Sequence, residues 1–153
     1  MIDLDRIDRR ILSELQADGR LTNVELAQRV NLSASACLRR VQRLEERKVI
    51  EGYTALLDMA QLGKGTDAFV EVTLSSQRED VLSAFEQAVR DCPEILECHL
   101  MSGGSDYLLH VAVADTQDYE RIHKQTLSRL PHVARIRSSF SLRRVCRRGP
   151  PVL

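Results

Sequence analysis

A short stretch of serine, arginine and glutamine near residue 40 carries the side chains best suited to reading a DNA duplex. One side of a helix predicted over residues 33–48, with Ser33 as its N-cap, collects these residues, and Arg40 lies on the flank. They are Ser35, Arg39, Gln42, Arg43 and Glu46. Arginine pairs with O6 and N7 of guanine, glutamine with adenine, and serine near a helix N-terminus with phosphate. The pattern favours a helix in the major groove, although an ordinary solvated helix face has the same composition.

Gly103-Gly104-Ser105 is a second candidate site, because glycines allow backbone amides to approach a ligand closely. Predicted strands over residues 96–100 and 107–113 flank this tripeptide. Adjacent glycines between two strands are first of all turn chemistry. From the residues alone, a plain hairpin turn is therefore the better interpretation.

The histidines and cysteines show no spacing typical of a metal site. His110, His123 and His132 are scattered along the chain, and the nearest approach to a ligand set is Cys98-His99 beside Cys92. Scattered residues of these types usually pack or face solvent. The sequence also shows no nucleophile–base pair and no phosphate-binding loop. We therefore expect no metal, no cofactor and no enzymatic activity.

Three helices are predicted in the first 50 residues. Apolar residues spaced by three and four predict a first helix from Leu4 to about Asp18. Thr22 and Glu25 have the Thr-x-x-Glu form of a capping box, which opens a second helix. Asn31, a residue type that tolerates left-handed backbone geometry, then turns the chain into the third, basic helix. This order is typical of a helix-turn-helix domain.

The remainder of the chain predicts the order β-α-β-β-α-β. The alternating apolar segments begin near Ala68, Leu96, Tyr107 and Ile136. The first intervening helix is expected to open with a second capping box at Ser76-Gln77-Arg78-Glu79, and the second helix with Asp115 as its cap. This is the ferredoxin-like arrangement, in which two helices cover one face of a four-stranded antiparallel sheet.

The predicted fold class is α+β, with a winged helix-turn-helix domain followed by a ferredoxin-like domain. We expect the DNA-binding domain over residues 1–50, a wing and linker over 51–65, and the ferredoxin-like domain over 66–153. The sheet face without helices is expected to expose Phe69, Ile95, Met101 and Leu109. A soluble monomer rarely leaves such a surface uncovered, so the pattern predicts sheet-to-sheet dimerisation or a bound partner protein.

The formal net charge of zero hides a segregated distribution. Residues 1–50 carry +2, residues 51–120 carry −11 and residues 121–153 carry +9. The basic tail over residues 143–148 suits contact with DNA phosphate or pairing with the acidic segment of a neighbouring subunit, and both interpretations stay open. The N-terminus is acidic and no run of about 18 apolar residues occurs, so we expect a cytoplasmic protein without a membrane partner.

Five stretches of the chain resemble the Lrp/AsnC family, the feast/famine regulators. They are LDRIDR at 4–9, NVEL at 23–26, GYTALL at 52–57, ECHL at 97–100 and DYLL at 106–109. The resemblance covers nearly the whole chain. It implies a winged helix-turn-helix followed by an α/β domain for effector binding and oligomerisation, in dimers that often associate further, commonly into octamers.

By the same resemblance, six residues of the third helix meet DNA. They are Ser33, Ser35, Arg39, Arg40, Gln42 and Arg43. The chain departs from the family pattern at Ala34 and Ala36, where relatives often have proline, and at Arg39, where close relatives have an acid. The operator sequence therefore does not carry over. A dimer is still expected to read a pseudo-palindrome, with half-sites one helical turn or a multiple apart.

By the same resemblance, the glycine-rich turn corresponds to the loop that binds the effector in the family. The implied effector residues are Met101, Gly103, Gly104, Asp106 and Tyr107. Their chemistry suits an amino acid, because glycine amides approach a carboxylate, Asp106 can pair with an ammonium group, and Met101 and Tyr107 can supply apolar walls.

The resemblance implies a sequence-specific transcriptional regulator whose amino-acid effector shifts assembly or operator geometry by binding one state better than another. The alternative is an architectural DNA-binding protein without an effector. Amino acids that change thermal stability, assembly size or DNA affinity would separate the two.

Overall fold

The computed structural model describes residues 3–146, which fall into two compact units, one ending at Leu56 and the other spanning Leu57–Val145. Each unit has its own apolar core. The helices of the first unit are α1 (Arg6–Ala17), α2 (Asn23–Arg29) and α3 (Ala34–Glu46).

Helix α1 forms because its apolar residues recur on one side and its first turn is capped. The carboxylate of Asp5 accepts hydrogen bonds from the backbone amides of Ile7 and Asp8, both at 2.8 Å. Ile11 is fully buried in the core of the unit. The core also contains Leu26, Ala27, Val30, Cys37 and Leu44 from the other two helices and the turn between them. The predicted three-helix arrangement is present.

Helix α2 begins at the predicted capping box. The Glu25 amide donates to the Thr22 hydroxyl at 3.3 Å, and the Thr22 amide donates to the Glu25 carboxylate at 2.8 Å. Asn31 has a φ of 56°, which is the left-handed geometry predicted for the turn before α3.

Helix α3 has the predicted N-cap. The Ser33 hydroxyl accepts a hydrogen bond from the Ala36 amide at 3.3 Å. The helix ends at Glu46, two residues before the predicted end, because Lys48 has a φ of 56° and therefore cannot continue it.

Residues 51–65, predicted as wing and linker, contain no strand in the structure. Residues 51–58 have no regular secondary structure and residues 59–63 form a turn. Leu56 and Leu57 are exposed. A β-prone composition does not make a strand by itself, since a strand needs a partner edge for its backbone groups.

The second unit is built on a four-stranded antiparallel sheet with strand order β2-β3-β1-β4. Its elements are β1 (Thr66–Leu74), α4 (Glu79–Arg90), β2 (Ile95–Leu100), β3 (Tyr107–Val113), α5 (Thr116–Gln125), a 3₁₀ turn (Leu127–Arg129) and β4 (Val133–Phe140). This is the predicted β-α-β-β-α-β order. Because β1 pairs with both β3 and β4, residues from distant parts of the sequence lie side by side at the centre of the sheet.

The core of this unit joins the sheet to its helices. Val70 and Val72 of β1 are fully buried together with Phe85 of α4 and Ile122 of α5. Leu109 belongs to the same core, so its expected place on the open sheet face is wrong. It is the register partner of Val70, and partners in a sheet point to the same side. Phe69 is exposed, as expected.

Strand β2 departs from the predicted alternation. A register shift between Ile95 and Glu97 changes which residues face the core. Ile95 and Cys98 pack against the core, whereas Leu96 and Leu100 are exposed. The expectation that Ile95 lies on the open face is therefore wrong.

The second predicted capping box does not form. Helix α4 begins after Arg78, which makes no side-chain capping hydrogen bond. The Ser76 hydroxyl accepts from the Arg78 amide at 3.2 Å, and the Glu79 carboxylate contacts Ser83 instead of reaching back. The helix starts two residues too late for the motif, so Ser76 stabilises only the preceding loop.

No helix within the described residues is long and apolar enough to cross a membrane. In the basic tail, Arg144 pairs with Asp67 of the same chain at 2.9 Å. Neither predicted role of the tail included this intrachain pair. Arg147 and Arg148, the remainder of that tail, lie outside the described residues.

Candidate DNA-binding and effector sites

Helix α3 presents the predicted polar face to solvent. The side chains of Ser33, Ser35, Arg39 and Gln42 are all exposed. The opposite side of the helix is buried through Cys37 and Leu44. The hydrophobic core of the first unit thus fixes which side of α3 remains free, and the free side carries hydrogen-bonding groups of the types that read base edges.

Two arginines of α3 are engaged with α1. Nη1 of Arg40 donates to the carboxylates of Asp5 at 2.6 Å and Asp8 at 2.8 Å. Nη2 of Arg43 donates to the second oxygen of Asp8 at 2.7 Å. Hydrogen bonds to Asp5 and Asp8 raise the pKa of Arg40. These ion pairs were not predicted, since 32 to 35 residues separate the partners in the sequence.

The loop between β2 and β3 closes through its backbone. The Met101 amide donates to the Asp106 carbonyl at 2.8 Å, and the Asp106 amide donates to the Val72 carbonyl of β1 at 2.9 Å. Gly103 has a φ of 156°, a backbone conformation that residues other than glycine rarely adopt. Met101 is exposed. The turn geometry therefore accounts for the glycine at 103.

The Asp106 side chain points inward. It is buried, and its two oxygens accept from the Leu74 amide and from Nε2 of Gln77, each at 2.7 Å. These bonds tie the β2–β3 loop to the end of β1 and to the segment before α4. The predicted pairing of Asp106 with a ligand ammonium group stays a prediction, and its carboxylate has a structural role.

Tyr107 lies in the core of the second unit. Its ring packs against Phe85 with centroids 4.6 Å apart, and its hydroxyl donates to the Glu86 carboxylate at 2.9 Å. Burial, together with the hydrogen bond to Glu86, raises the pKa of Tyr107. Only about 1% of the residue is exposed. Tyr107, which was predicted to form an apolar wall of the effector site, thus lies on the helix side of the sheet.

A cleft of about 310 Å³ opens beside the β2–β3 loop. Its lining residues are Glu71, Thr73, Gly104, Ser105, Arg135 and Arg137. Of the five predicted effector residues, Gly104 lines this cleft, whereas Met101, Gly103, Asp106 and Tyr107 do not. The volume is at the lower end of the roughly 300–1,000 Å³ typical of small-molecule sites.

The cleft depends on the pairing of β1 with β4. Glu71 is the register partner of Arg137, and Thr73 is the register partner of Arg135. Alternation along each strand could have placed these residues on the outward face, because Val72 and Ile136 between them pack inward. Sequence reasoning missed them, since it gave no register to bring the two strands together.

The charges of the cleft are of both signs. Arg135, Arg137 and Glu71 all line it, and Nη1 of Arg137 lies 3.9 Å from Oε2 of Glu71. Arginine binds carboxylates in a bidentate manner, and a glutamate accepts from ammonium groups. The arrangement is suited to a small zwitterion.

No group of three or more histidine, cysteine, aspartate or glutamate side chains within residues 3–146 is arranged to hold a metal ion. His110 instead lies against Asp67 at 2.7 Å and stacks on Phe69.

Comparison with known families matches both units. A model of the winged helix-turn-helix DNA-binding domain matches residues 4–51, and a model of the Lrp/AsnC ligand binding domain matches residues 67–151. The leucine-responsive regulatory protein of Escherichia coli strain K12 is 53% identical over 131 residues, which cover 86% of this chain and 80% of that protein.

Solved structures of the family have the same fold. A transcriptional regulator from Neisseria meningitidis, solved in complex with L-methionine, has a TM-score of 0.90 and 38% identity, over 95% of this chain and 94% of that one. An AsnC family regulator from Agrobacterium tumefaciens has a TM-score of 0.90 and 34% identity, over 96% and 95%.

These matches confirm the predicted family, the α+β fold class and the predicted function as a DNA-binding regulator that responds to a small effector. The chain belongs to the Lrp/AsnC family of transcriptional regulators.

Proposed function

We propose that the protein binds operator DNA through α3 and that a free amino acid, held in the cleft beside the β2–β3 loop, controls this binding. The observation that carries the proposal is the cleft itself, where Arg135, Arg137 and Glu71 offer charges of both signs to a zwitterion. The L-methionine complex of the Neisseria meningitidis regulator supports an amino acid as the effector class.

The proposed effector site combines the loop with the cleft. Gly104 offers its backbone to the ligand carboxylate, with Arg135 and Arg137 nearby. Met101 and Gly103 shape the loop around the ligand. Asp106 and Tyr107 contribute by anchoring that loop, through the bonds of Asp106 to β1 and the packing of Tyr107 in the core.

The proposed DNA interface is the outward side of α3. The predicted positions are Ser33, Ser35, Arg39, Arg40, Gln42 and Arg43, of which Arg40 and Arg43 pair with Asp5 and Asp8 and are not proposed as direct DNA contacts. The exposed side chains of Ser35, Arg39 and Gln42 support direct contact with the duplex. We assign this interface to a DNA-binding domain over residues 1–50, followed by a wing and linker over 51–65 and the effector and assembly domain over 66–153.

We also propose a cytoplasmic, non-enzymatic homodimer that associates further, up to an octamer. The exposed Phe69 and Met101, at 40% and 42%, support an apolar contact between copies. Light scattering during size-exclusion chromatography measures the assembly, and a monomer at every concentration would contradict this part of the proposal.

A binding experiment tests the effector site. The protein amino acids are screened by thermal shift, and each hit is measured by calorimetry on the wild type and on Arg137→Gln. Loss of one charge-assisted hydrogen bond is expected to weaken binding by about tenfold or more. Arg129→Gln is the matched control, since Arg129 is an exposed arginine of the same unit outside the cleft.

Two results would count against the proposal. If an amino acid binds but Arg137→Gln behaves like the Arg129→Gln control, the cleft is not the effector site. If no amino acid changes thermal stability, assembly size or DNA affinity of the wild type, the amino-acid response is wrong, and an effector-independent architectural protein is the better description.

A further inference from the structure

The four charged side chains that join α1 to α3 form a closed set, here called the carboxylate–arginine cluster: Asp5, Asp8, Arg40 and Arg43. We propose that Asp5 and Asp8 are positioning residues that withhold Arg40 and Arg43 from DNA phosphates, so that Arg39 is the cation that α3 itself brings to the duplex. The inference rests on α3 being the DNA-binding helix and concerns which of its residues make contact.

Every carboxylate oxygen of Asp8 is occupied. One accepts from Arg40 and the other from Arg43, and Arg40 is also held by Asp5. Formal charges within the cluster cancel, two negative against two positive. A neutral cluster attracts no excess phosphate, so its arginines add little to the release of counterions that drives protein–DNA association.

Burial makes this neutralisation hard to undo. The Asp8 side chain is only 2% exposed, whereas those of Arg40 and Arg43 are 25% and 42% exposed. If a phosphate drew both arginines away, a buried carboxylate would lose its charged partners, which is strongly unfavourable. Arg40 and Arg43 therefore pair more favourably with Asp5 and Asp8 than with DNA phosphates.

Arg39 is in the opposite situation. Its side chain is exposed, and among the described residues it has neither a salt bridge nor a hydrogen bond. It can therefore pair with a guanine edge or a phosphate without breaking a contact of the folded protein. The cluster thus reduces sequence-independent attraction and leaves recognition to Arg39, Gln42 and the serines at the start of α3.

The salt dependence of DNA binding tests this inference. The probe is the duplex that the wild-type protein selects from a random-sequence library, and the readout is the slope of log K against log salt concentration. In Asp8→Asn, Arg43 loses its carboxylate partner and becomes free for phosphate. The slope is expected to steepen by about 0.9 for each bound subunit, since each subunit gains one phosphate contact.

Asp18→Asn is the matched control for this variant. Asp18 also belongs to the α1 region, and its carboxylate accepts from the Arg20 amide, a bond that asparagine can keep. The net charge changes by the same amount in both variants. An Asp8→Asn protein that folds but keeps the slope of the wild type and of Asp18→Asn would overturn the inference.

A second variant decides the question if Asp8→Asn does not fold. The double variant Asp5→Asn/Arg40→Gln keeps the net charge, and asparagine remains a good N-cap for α1. Its slope is expected to equal that of the wild type, whereas Arg39→Gln, which removes a cation that neutralises phosphate, is expected to reduce the slope by about 0.9 for each bound subunit. A comparable reduction in the double variant would show that Arg40 contacts phosphate and would overturn the inference.

The same variants also show whether α3 contacts DNA at all. If Arg39→Gln and Gln42→Ala both leave affinity, selected sequence and slope unchanged, α3 is not the contact helix. If they change binding while the double variant also loses slope, α3 is the contact helix and only the withholding of Arg40 is wrong.

Discussion

Among the described residues, each unit of the protein buries one carboxylate, and the two are stabilised in different ways. Asp8 in the first unit accepts from two arginines. Asp106 in the second unit accepts from a backbone amide and from the side-chain amide of Gln77, both neutral donors. The difference matters for the proposed function, because Asp8 pairs with two arginines of α3, whereas Asp106 holds the β2–β3 loop without pairing with the arginines of the cleft.

Removal of Asp106 is expected to have the largest effect. Asp106→Ala deletes two hydrogen bonds to a charged group and leaves the buried Leu74 amide without a partner, at a cost of about 3 kcal/mol in the free energy of unfolding. Urea unfolding followed by circular dichroism measures the change. Exchange of amide hydrogens is expected to rise in peptides that cover β1 and the β2–β3 loop.

The same variant also separates the structural role of Asp106 from a ligand role. Arg129→Gln serves as the surface control, with an expected change within about 0.5 kcal/mol. If Asp106→Ala unfolds like the wild type but no longer binds the effector, its carboxylate contacts the ligand, and the contrast with Asp8 is wrong.

Removal of Asp8 is expected to cost less, about 2 kcal/mol, because the arginines left behind are partly exposed and can turn to water. Unlike the effect of Asp106→Ala, this loss is expected to shrink when salt is raised, since it arises from attraction between charges. Unfolding of Asp8→Ala at low and high salt checks the point. A loss that does not change with salt would mean that packing, not charge pairing, explains the burial of Asp8.

The two units also differ in how far their functional residues could be predicted from the sequence. The outward face of α3 follows from the helical period and from local caps, so the exposure of Ser35, Arg39 and Gln42 was predicted correctly, while their contact with DNA stays a prediction. Their relation to Asp5 and Asp8 was not predicted, because contacts between α1 and α3 depend on tertiary packing, which the period of one helix does not contain.

The cleft was harder to predict for a related reason. Glu71 and Arg137 are 66 residues apart in the sequence and become neighbours only through the register of β1 with β4. The register shift in β2 also moved Ile95 to the core, against its predicted alternation. Element order was predictable from local patterns, whereas pairing and register depend on the whole sheet.

The two units also differ in what the Ser/Thr-x-x-Glu motif does in each of them. Thr22 forms a complete capping box in the first unit, whereas Ser76 of the second unit does not cap a helix. Thr22→Ala is therefore expected to cost about 1 kcal/mol in unfolding free energy. Ser76→Ala is expected to cost less than half of that, as a single exposed hydrogen bond in a loop. Equal losses would show that the Ser76 motif stabilises α4 after all.

The smallest expected effect concerns acid stability of the second unit. Burial raises the pKa of Asp67, but the hydrogen bond with His110 and the charge of Arg144 outweigh it, so the net pKa is lowered from 3.8. A carboxyl whose pKa is lower in the folded state stabilises the protein above its unfolded pKa, and this contribution disappears as pH falls through the folded value.

Asp67→Asn is therefore expected to flatten the loss of stability below about pH 4, by less than about 1 kcal/mol. Urea unfolding from pH 6 down to about pH 2.5 measures the difference between the variant and the wild type. If the unfolding free energies of the variant and the wild type fall in parallel with pH, solvent screens the attraction of Asp67 to His110 and Arg144. In that case, Asp67 would be satisfied mainly by hydrogen bonding, as Asp106 is, and the contrast between charge-paired and neutrally bonded carboxylates would apply to the first unit alone.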